Sequence, residues 1–313
     1  MKRLAIGPAR DFPSWHWIGL DMARALGGSF ATSLFEDFGR VPPSDAVVAI
    51  KLAPPLRFVR RVQAGGGRVV FLPIDGYADE AAIRADRARL GACDLVLAHS
   101  ESLAGCLAPH CRRVGFVEHH GKFTLPDLAA WRPEGFVLWI GGLQNIPYLL
   151  AWIERHPLRH PLRILTDTEN PRALRAARRV AAGLGVGLRF TAGAINGHEM
   201  RPWSEAAQSA ALRECKAALD IKGDGFNQRT KPPAKAQKYV SSGIPFACNP
   251  DSEAARYFRD RGFAVASPDA EERWYSEDYW RDTQRFAVQL RRTIALESVA
   301  DTYRAHIEAV LKD

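Results

Sequence analysis

Short apolar runs alternate with longer helix-like segments along the chain, and the alternation starts again near residue 136. The apolar runs lie at 4–7, 46–50, 69–72, 94–98, 136–140, 162–165, 188–191 and 217–221. Short apolar runs separated by helices of roughly ten residues or more indicate βαβ units, and such units form parallel sheets that are buried on both faces. The pattern therefore predicts an α/β protein with two doubly wound, Rossmann-like parallel-sheet domains.

The two expected domains divide the 313 residues at a stretch near 118–135 that contains prolines and aromatic residues. We expect an N-terminal domain at 1–124, a linker at 125–135, a second domain at 136–277 and C-terminal helices at 278–313. At roughly 150 residues per domain, the length also favours two domains. If the two halves face one another, the carboxyl ends of both sheets border a central cleft.

The last predicted helix carries an apolar stripe at Val299, Tyr303, Ile307 and Val310. These positions share one helical face, and their own segment supplies nothing for that face to pack against. We therefore expect this helix to return to the first domain.

Composition narrows the classes of function. Hydrophobic residues make up 47% and charged residues 25% of the chain, which is close to the globular average and excludes wholesale disorder, collagen and coiled-coil arrays. The net charge of +8 favours anionic partners such as phosphates. The five cysteines show neither a Cys-x-x-Cys pair nor a zinc-like spacing, so we expect reduced thiols in the cytoplasm.

The sequence predicts no transmembrane segment. The apolar run after the basic start stops after a few residues, whereas a signal peptide needs roughly 7–15. The longest uncharged stretch, 135–153, approaches the length of about 20 residues that a membrane helix needs. It contains Gly141-Gly142, Gln144-Asn145 and Pro147, so a strand, a polar turn and a helix are expected there instead.

The stretch 229–247 combines several features at fixed spacing. Lys235 is followed by an aromatic residue at 239, by small residues and then by Gly243-Ile244-Pro245, which leads into an apolar run. This arrangement resembles the donor-binding segment of GT-B glycosyltransferases, particularly the retaining nucleotide-sugar-dependent group. Three further pieces agree with that family in order and spacing, namely 136–142, 202–204 with the strand ending at 221, and 254–265.

The resemblance implies a cytoplasmic enzyme that moves a sugar from a nucleotide-activated donor to an unidentified acceptor with retention of configuration. The second half would bind the donor sugar nucleotide as a substrate, the first half the acceptor glycan, and no cofactor is implied. The chain has no Asp-x-Asp motif, so we expect no metal in the mechanism. Two alternatives stay open: a non-catalytic protein of the same fold that binds nucleotide or glycan, and a DNA-base glycosyltransferase that uses the basic surface.

Arg229, Lys231 and Lys235 are the candidate donor-phosphate residues. The predicted helix that starts near Lys235 ends at Gly243, and a proline follows, as is usual at helix ends. The N-terminal amides of such a helix, with its positive dipole end, can hold a pyrophosphate, and the basic side chains add positive charge. The alternative interpretation is a solvated helix start.

Lys238 stands where the family usually has a glutamate that holds the donor ribose, and Thr230 stands at the family's earlier acidic position. A lysine can donate a hydrogen bond to a hydroxyl but cannot accept one. Either the ribose is held elsewhere, or the phosphates carry more of the binding, or the donor is unusual. Gly141 and Gly142 follow a predicted strand and would let the backbone approach the donor closely, although an ordinary strand-to-helix turn explains them equally well.

The catalytic candidates are Asp75, His99 and His120. Asp75 and His99 each follow a predicted strand, where polar residues face the crevice of a parallel sheet, and helix capping is the alternative. His120 lies in the stretch between the two halves. Trp15 and His16 are the acceptor-binding candidates, because an exposed indole stacks on sugars and a histidine exchanges protons near neutral pH. Burial of Trp15 in the core is the alternative.

Overall fold

The computed structural model describes residues 1–12 and 14–312. The first part of the chain forms the strands β1 (Arg3–Gly7), β2 (Ala31–Leu34), β3 (Ala46–Ile50), β4 (Arg68–Leu72), β5 (Leu95–Ala98) and β6 (Val114–Phe116). Neighbouring strands are parallel, in the spatial order β2-β1-β3-β4-β5-β6. The helices between them are α1 (Asp21–Leu26), which continues a π-helical turn at Trp15–Leu20, α2 (Leu56–Ala64), α3 (Glu80–Ala85), α4 (Arg87–Leu90) and α5 (Glu101–Leu107).

The central strands of this first sheet are buried on both faces because their sequences are continuous apolar runs. All five residues of β3 and all four residues of β5 are buried. The helices that follow the strands begin at polar caps: Asp79 accepts a hydrogen bond from Ala82 N at the start of α3, and Ser100 accepts one from Leu103 N at the start of α5.

The second sheet contains β7 (Val137–Ile140), β8 (Leu162–Thr166), β9 (Phe190–Thr191), β10 (Ala194–Ile195), β11 (His198–Pro202), β12 (Ala217–Asp220) and β13 (Phe246–Cys248). Their spatial order is β13-β12-β7-β8-β11-β10-β9. The helices of this part of the chain and of its end are α6 (Ile146–Arg155), α7 (Pro171–Leu184), α8 (Glu205–Glu214), α9 (Phe226–Arg229), α10 (Ala234–Ser241), α11 (Glu253–Arg259), α12 (Glu271–Trp274), α13 (Glu277–Thr293) and α14 (Leu296–Lys312). The five strands from β13 to β11 are parallel, which confirms the predicted α/β class.

One predicted parallel strand is wrong. The run at 188–191 contributes only the short edge strand β9, which pairs antiparallel with β10, and the parallel neighbour of β8 is β11. β11 has the sequence His-Glu-Met-Arg-Pro and carries no apolar run, so the hydrophobic pattern does not reveal it. Asn196 and Gly197, both with positive φ, form the two-residue turn between β10 and β11.

The long uncharged stretch forms the expected strand, turn and helix. β7 is followed by a short 3₁₀ turn at Leu143–Asn145 and then by α6. Within the described residues no helix has the length and the apolar character that crossing a membrane requires.

The chain divides into two compact units. The first unit consists of residues 1–120, 225–232 and 292–313, and the second of residues 121–224 and 233–291. These bounds differ from the expected ones in three places. Residues 121–135, which comprise the end of the expected first domain and the expected linker, belong to the second unit. The segment 225–232, which contains α9, belongs to the first unit although it lies between strands of the second sheet, and most of α13 belongs to the second unit.

The last helix, α14, packs in the core of the first unit, as its apolar stripe predicts. Val299, Tyr303, Ile307 and Val310 are buried in one cluster with residues of β1 and β3. Arg68 in β4 also donates to the carbonyl of Val310 at 3.2 Å. The stripe therefore stabilises a unit whose sheet was completed almost two hundred residues earlier in the chain.

Replacing Ile307 by alanine tests this packing. Ile307 has no exposed surface, so the substitution removes buried methyl groups and leaves a cavity, and we expect a loss of about 2–5 kcal/mol in unfolding free energy. Glu308→Ala on the exposed side of the same turn should change the free energy by less than about 0.5 kcal/mol. Urea denaturation followed by circular dichroism measures both, and equal effects would contradict the packing of α14 in the first unit.

Candidate functional site

The strand order of the second sheet reverses between β7 and β12. The chain runs from β7 to β8 and β11 on one side, and then places β12 and β13 on the other side. In open parallel sheets, ligands bind outside the carboxyl ends of the strands at such a point of reversal. Gly141 follows β7 at this edge, and Asp220 ends β12. The second unit therefore has a candidate binding site around these two residues.

Asp220 lies between two lysines at this edge. Its Oδ1 is 2.9 Å from Lys235 Nζ and its Oδ2 is 3.0 Å from Lys222 Nζ, and only 4% of its side chain is exposed. Burial by itself would raise the pKa of Asp220, but the two ammonium groups outweigh burial and lower it to about 2. The carboxylate is therefore charged at neutral pH, and the three side chains together carry one net positive charge.

Gly141 leaves the space in which Lys235 lies. A Cβ atom at position 141 would be 2.7 Å from the ring of Trp139 and 2.9 Å from Lys235 Nζ, both closer than real contacts allow. The ammonium of Lys235 also lies 4.8 Å from the centre of the Trp139 ring, within the range of a cation–π interaction. The sequence-predicted pair Gly141 and Lys235 is thus brought together. At Gly142 an added Cβ would meet only the flexible end of Gln144.

Lys238, one helical turn after Lys235 in α10, belongs to a different set of contacts. Its Nζ donates to Gln208 Oε1 at 3.1 Å. The same oxygen accepts from Trp203 Nε1 at 2.9 Å, while Gln208 Nε2 donates to the carbonyl of Phe123 at 2.6 Å. Burial lowers the pKa of Lys238 to about 8. Sequence reasoning missed this network, because a glutamine inside a helix has no recognisable motif.

The segment 225–232 is held in the first unit by a hydrogen bond from Ser100 and by the packing of Phe226 against the core of that unit. Ser100 Oγ donates to the carbonyl of Thr230 at 2.6 Å, and Thr230 Oγ1 donates to the carbonyl of Phe226 at 2.9 Å. Thr230 is buried, so the position of the family's earlier acid is here a structural contact. Arg229 and Lys231 lie on this segment, whereas Lys235 and Lys238 belong to the second unit, so the expected phosphate residues are divided between the two units.

The first sheet has its own reversal of strand order, between β1 and β3. Lys51 directly follows β3 and Asp75 lies shortly after β4, and their side chains pair at 3.9 Å. Both residues have positive φ, 63° and 49°, a conformation that is uncommon for residues other than glycine. About half of the Asp75 side chain is exposed. Asp75 therefore lies at the carboxyl edge as expected, and its partner Lys51 was not found from the sequence.

His99 is buried at the carboxyl end of β5. Its Nε2 shares a hydrogen bond of 2.7 Å with the hydroxyl of Tyr303 on α14, and its ring centre is 4.4 Å from that of His119. Burial holds the pKa of His99 well below its ordinary value, so the imidazole is neutral. The capping alternative does not apply to His99, because Ser100 caps α5.

His120 pairs with a carboxylate in the same unit. Its Nε2 lies 3.1 Å from Asp21 Oδ2, and its carbonyl accepts a hydrogen bond of 2.9 Å from Trp17 Nε1. The Trp17 ring also contacts His119 edge-on at 5.4 Å. Burial and the neighbouring His120 lower the pKa of His119 to about 3, and His119 Nδ1 has no hydrogen-bond partner among residues 1–12 and 14–312.

A small cavity of about 20 Å³ lies in the first unit between these strand ends and the segment 225–232. Asp75, His99 and Lys231 are among its lining residues, together with Phe226. A volume of this size holds one water molecule. The structure therefore brings two of the three catalytic candidates, Asp75 and His99, to one cavity.

The two acceptor candidates differ in exposure. Trp15 is only 5% exposed and belongs to the core of the first unit, where its ring packs against Gly19. The interpretation of Trp15 as a stacking surface is therefore corrected in favour of its core alternative, because a large aromatic ring stabilises the core most when it is fully buried. His16 is exposed and lies 4.0 Å from Asp11.

The described part of the chain contains no candidate metal site, that is, no group of three or more His, Cys, Asp or Glu side chains that could hold an ion. At the edge of the second sheet, Lys222 and Lys235 place two cations beside Asp220.

Solved glycosyltransferase structures have the same fold as this chain. AviGT4, a glycosyltransferase involved in avilamycin A biosynthesis, matches with a TM-score of 0.58 at 11% identity, over 100% of this chain and 98% of that chain. A glycosyltransferase from Rickettsia africae ESF-5 matches with a TM-score of 0.59 at 10% identity, over 99% and 98%. Trehalose-6-phosphate synthase OtsA matches with a TM-score of 0.57 at 12% identity, over 96% and 78%.

The chain also resembles a longer protein. It matches a chain of the GtfA/B complex with a TM-score of 0.54 and spans 58% of that chain's length. No protein-family model and no curated protein matches the sequence. At these identities the comparisons establish the fold, which is that of GT-B glycosyltransferases and confirms the predicted fold family.

Gly141→Ala tests the geometry around Lys235. The added methyl group would overlap the buried Trp139 ring and displace the Lys235 ammonium, and we expect a loss of about 1–3 kcal/mol in unfolding free energy. Gly142→Ala is the matched control, because the flexible Gln144 side chain can move away. Thermal unfolding of both variants measures the difference. A Gly141→Ala variant as stable as Gly142→Ala would show that position 141 tolerates a side chain.

Proposed function

We propose that the chain is a glycosyltransferase that moves a sugar from a nucleotide-activated donor to a glycan acceptor, without a metal ion and with retention of configuration. The observation that carries this proposal is Lys235, which Asp220 holds at the point where the strand order of the second sheet reverses. Lys235 lies in the segment that resembles the donor-binding motif of GT-B glycosyltransferases. The shared fold supports the same reaction class.

The proposed role of Lys235 follows from the charge that develops in the reaction. When the bond between the sugar and the nucleoside diphosphate breaks, negative charge accumulates on the leaving phosphate. A preorganised ammonium stabilises that charge without reorganising at the moment of reaction. On the basis of the resemblance, we propose for Arg229 and Lys231 the same role of stabilising the leaving phosphate. With cations in this role, the divalent ion that other transferases use is not needed.

On the acceptor side we propose Asp75 as the group that interacts with the acceptor hydroxyl. Its carboxylate is half exposed and lies at the carboxyl edge of the first sheet, beside the cation of Lys51. The neutral imidazole of His99 lines the same cavity and is oriented by Tyr303. His120 and the exposed His16 are proposed to contact the acceptor. The five free thiols are compatible with a reducing compartment, so we propose a cytoplasmic location.

Transfer activity in the presence of a chelator tests the function. We expect the purified chain to release nucleoside diphosphate from at least one sugar nucleotide when a glycan acceptor is added, at a rate that EDTA does not change. A screen of sugar nucleotides and acceptors, with duplex DNA as one acceptor, measures this by chromatography of the products. Donor binding without transfer or hydrolysis would favour the non-catalytic alternative, and loss of activity in EDTA that Mn²⁺ restores would contradict the metal-independent mechanism.

Lys235→Ala should lower kcat by about ten- to a hundred-fold, because one charge-assisted hydrogen bond to phosphate is worth about 1.5–3 kcal/mol and 1.36 kcal/mol corresponds to a factor of ten. Lys238→Gln in the same helix is the comparison. Glutamine can still donate to Gln208, so this variant should change kcat much less and act mainly on the KM of the donor. Steady-state kinetics of both variants measure the difference, and circular dichroism checks that they fold. A larger loss of kcat in Lys238→Gln than in Lys235→Ala would indicate that Lys238, and not Lys235, contacts the phosphate.

A further inference from the structure

A second lysine lies beside Lys235 at the end of β12. Lys222 Nζ is 3.0 Å from Asp220 Oδ2, while Lys235 Nζ is 2.9 Å from Oδ1 of the same carboxylate. Because each ammonium contacts a different oxygen of one small group, the two cations are held side by side.

The position of Lys222 is fixed through its backbone. Its N–H donates to Asn249 Oδ1 at 2.7 Å, and Asn249 directly follows β13. The lysine is therefore anchored to the carboxyl ends of two adjacent strands, β12 and β13, on the same edge as Gly141. Its side chain is mostly buried, so the ammonium has little freedom to point elsewhere.

The surroundings of the two lysines are rich in hydrogen-bond donors. Two ammonium groups bring six N–H donors, and Asp220 contributes one negative charge. The indole of Trp139, with its ring centre 4.8 Å from Lys235 Nζ, is fully buried, and its Nε1 finds no acceptor in the described portions of the chain. One net positive charge and a surplus of donors suit an anion with several acceptor oxygens.

We propose that Lys222 is a second phosphate-binding residue of the donor site and that Asp220 positions Lys222 and Lys235 together for the diphosphate. This inference rests on the proposed function and adds to it a residue outside the motif at 229–247. Asp220 keeps its contact with both ammonium groups while their remaining N–H groups turn to the phosphate oxygens, so no proton has to move on binding.

The competing role for Lys222 is to neutralise Asp220 without touching the ligand. A charge-matched pair of variants separates the two roles. Lys222→Met removes one positive charge, and the double variant Asp220→Asn/Lys222→Met restores the net charge of the wild type without restoring the lysine. The single variant Asp220→Asn is the reference for the double variant, because both lack the carboxylate that positions Lys235. If Lys222 contacts phosphate, Lys222→Met binds a diphosphate about ten- to a hundred-fold more weakly than the wild type, and the double variant binds it more weakly than Asp220→Asn. If Lys222 only neutralises Asp220, the double variant binds as tightly as Asp220→Asn.

The measurement is isothermal titration of the full chain with inorganic pyrophosphate and with UDP at low salt. Arg155→Ala is the control for general loss of charge, since α6 leads away from the carboxyl edge and ends at this exposed residue, and it should change the affinity by less than twofold. Circular dichroism checks folding. If Lys222→Met does not fold, Lys222→Gln keeps a donor for Asp220 and should show the same loss.

The outcomes distinguish the two levels of the proposal. Weaker binding by Lys222→Met than by the wild type, together with weaker binding by the double variant than by Asp220→Asn, supports Lys222 as a phosphate ligand. Equal binding by the double variant and Asp220→Asn overturns this inference and leaves the proposed function standing. A wild-type chain that binds neither pyrophosphate nor UDP overturns the proposed donor site and the role of Lys222 with it.

Discussion

The ion-paired carboxylate of Asp220 is the contact on which the candidate site depends. A buried carboxylate is tolerated only when it is paired, because an isolated charge loses far more hydration than the protein interior returns. Lys222 supplies one partner from the loop after β12, and Lys235 supplies the other from α10. The first turn of α10 is thereby tied to the end of a central strand. Gly141 has to be a glycine at the same edge because the ammonium and the Trp139 ring occupy the space of a side chain.

The same pairing has a consequence for stability against acid. The pKa of Asp220 is lowered in the folded chain to about 2, below the value of about 3.9 for an unperturbed aspartate. A group whose pKa is depressed by folding contributes stability above its unfolded pKa and loses that contribution as the pH falls through the folded value. The ion pairs of Asp220 therefore contribute their full stabilisation in acid down to about pH 4, and this contribution is lost as the pH falls from about 4 towards 2.

The alternation of apolar runs was sufficient to predict two parallel sheets, and the stripe on α14 was sufficient to place that helix in the first unit. Both inferences depend on burial of apolar surface, which leaves a periodic trace in the sequence. β11 left no such trace, since its sequence contains no apolar run. The assignment of 225–232 to the first unit was also not apparent from the sequence, because it involves contacts between residues far apart in the chain, such as the bond from Ser100 to the Thr230 carbonyl 130 positions away.

The candidate site was predictable only where a motif marked it. Lys235 and Gly141 were found because the first stands at a fixed distance from Gly243 and the second follows a strand. Lys51 directly follows a strand and Lys222 lies two residues after one, yet both were missed. A single lysine in a sequence is more often a solvated surface residue than part of a site. Trp15 was ambiguous for the opposite reason, since the same indole suits a core and a sugar platform, and only its burial in the first unit decides between them.

Lys238 shows how a departure from a family pattern can be explained by its neighbours. The Oε1 atom of Gln208 already accepts a hydrogen bond from Trp203, and Gln208 Nε2 is engaged by the Phe123 carbonyl. A glutamate at 238 would place its carboxylate against an amide oxygen that also only accepts, whereas Lys238 donates to that oxygen at 3.1 Å. Rotating the amide would present Nε2 to the glutamate but would oppose two carbonyl oxygens at Phe123 and remove the acceptor of Trp203. Lysine at 238 is thus matched to glutamine at 208, in a position where the glutamate of the family pattern would be repelled.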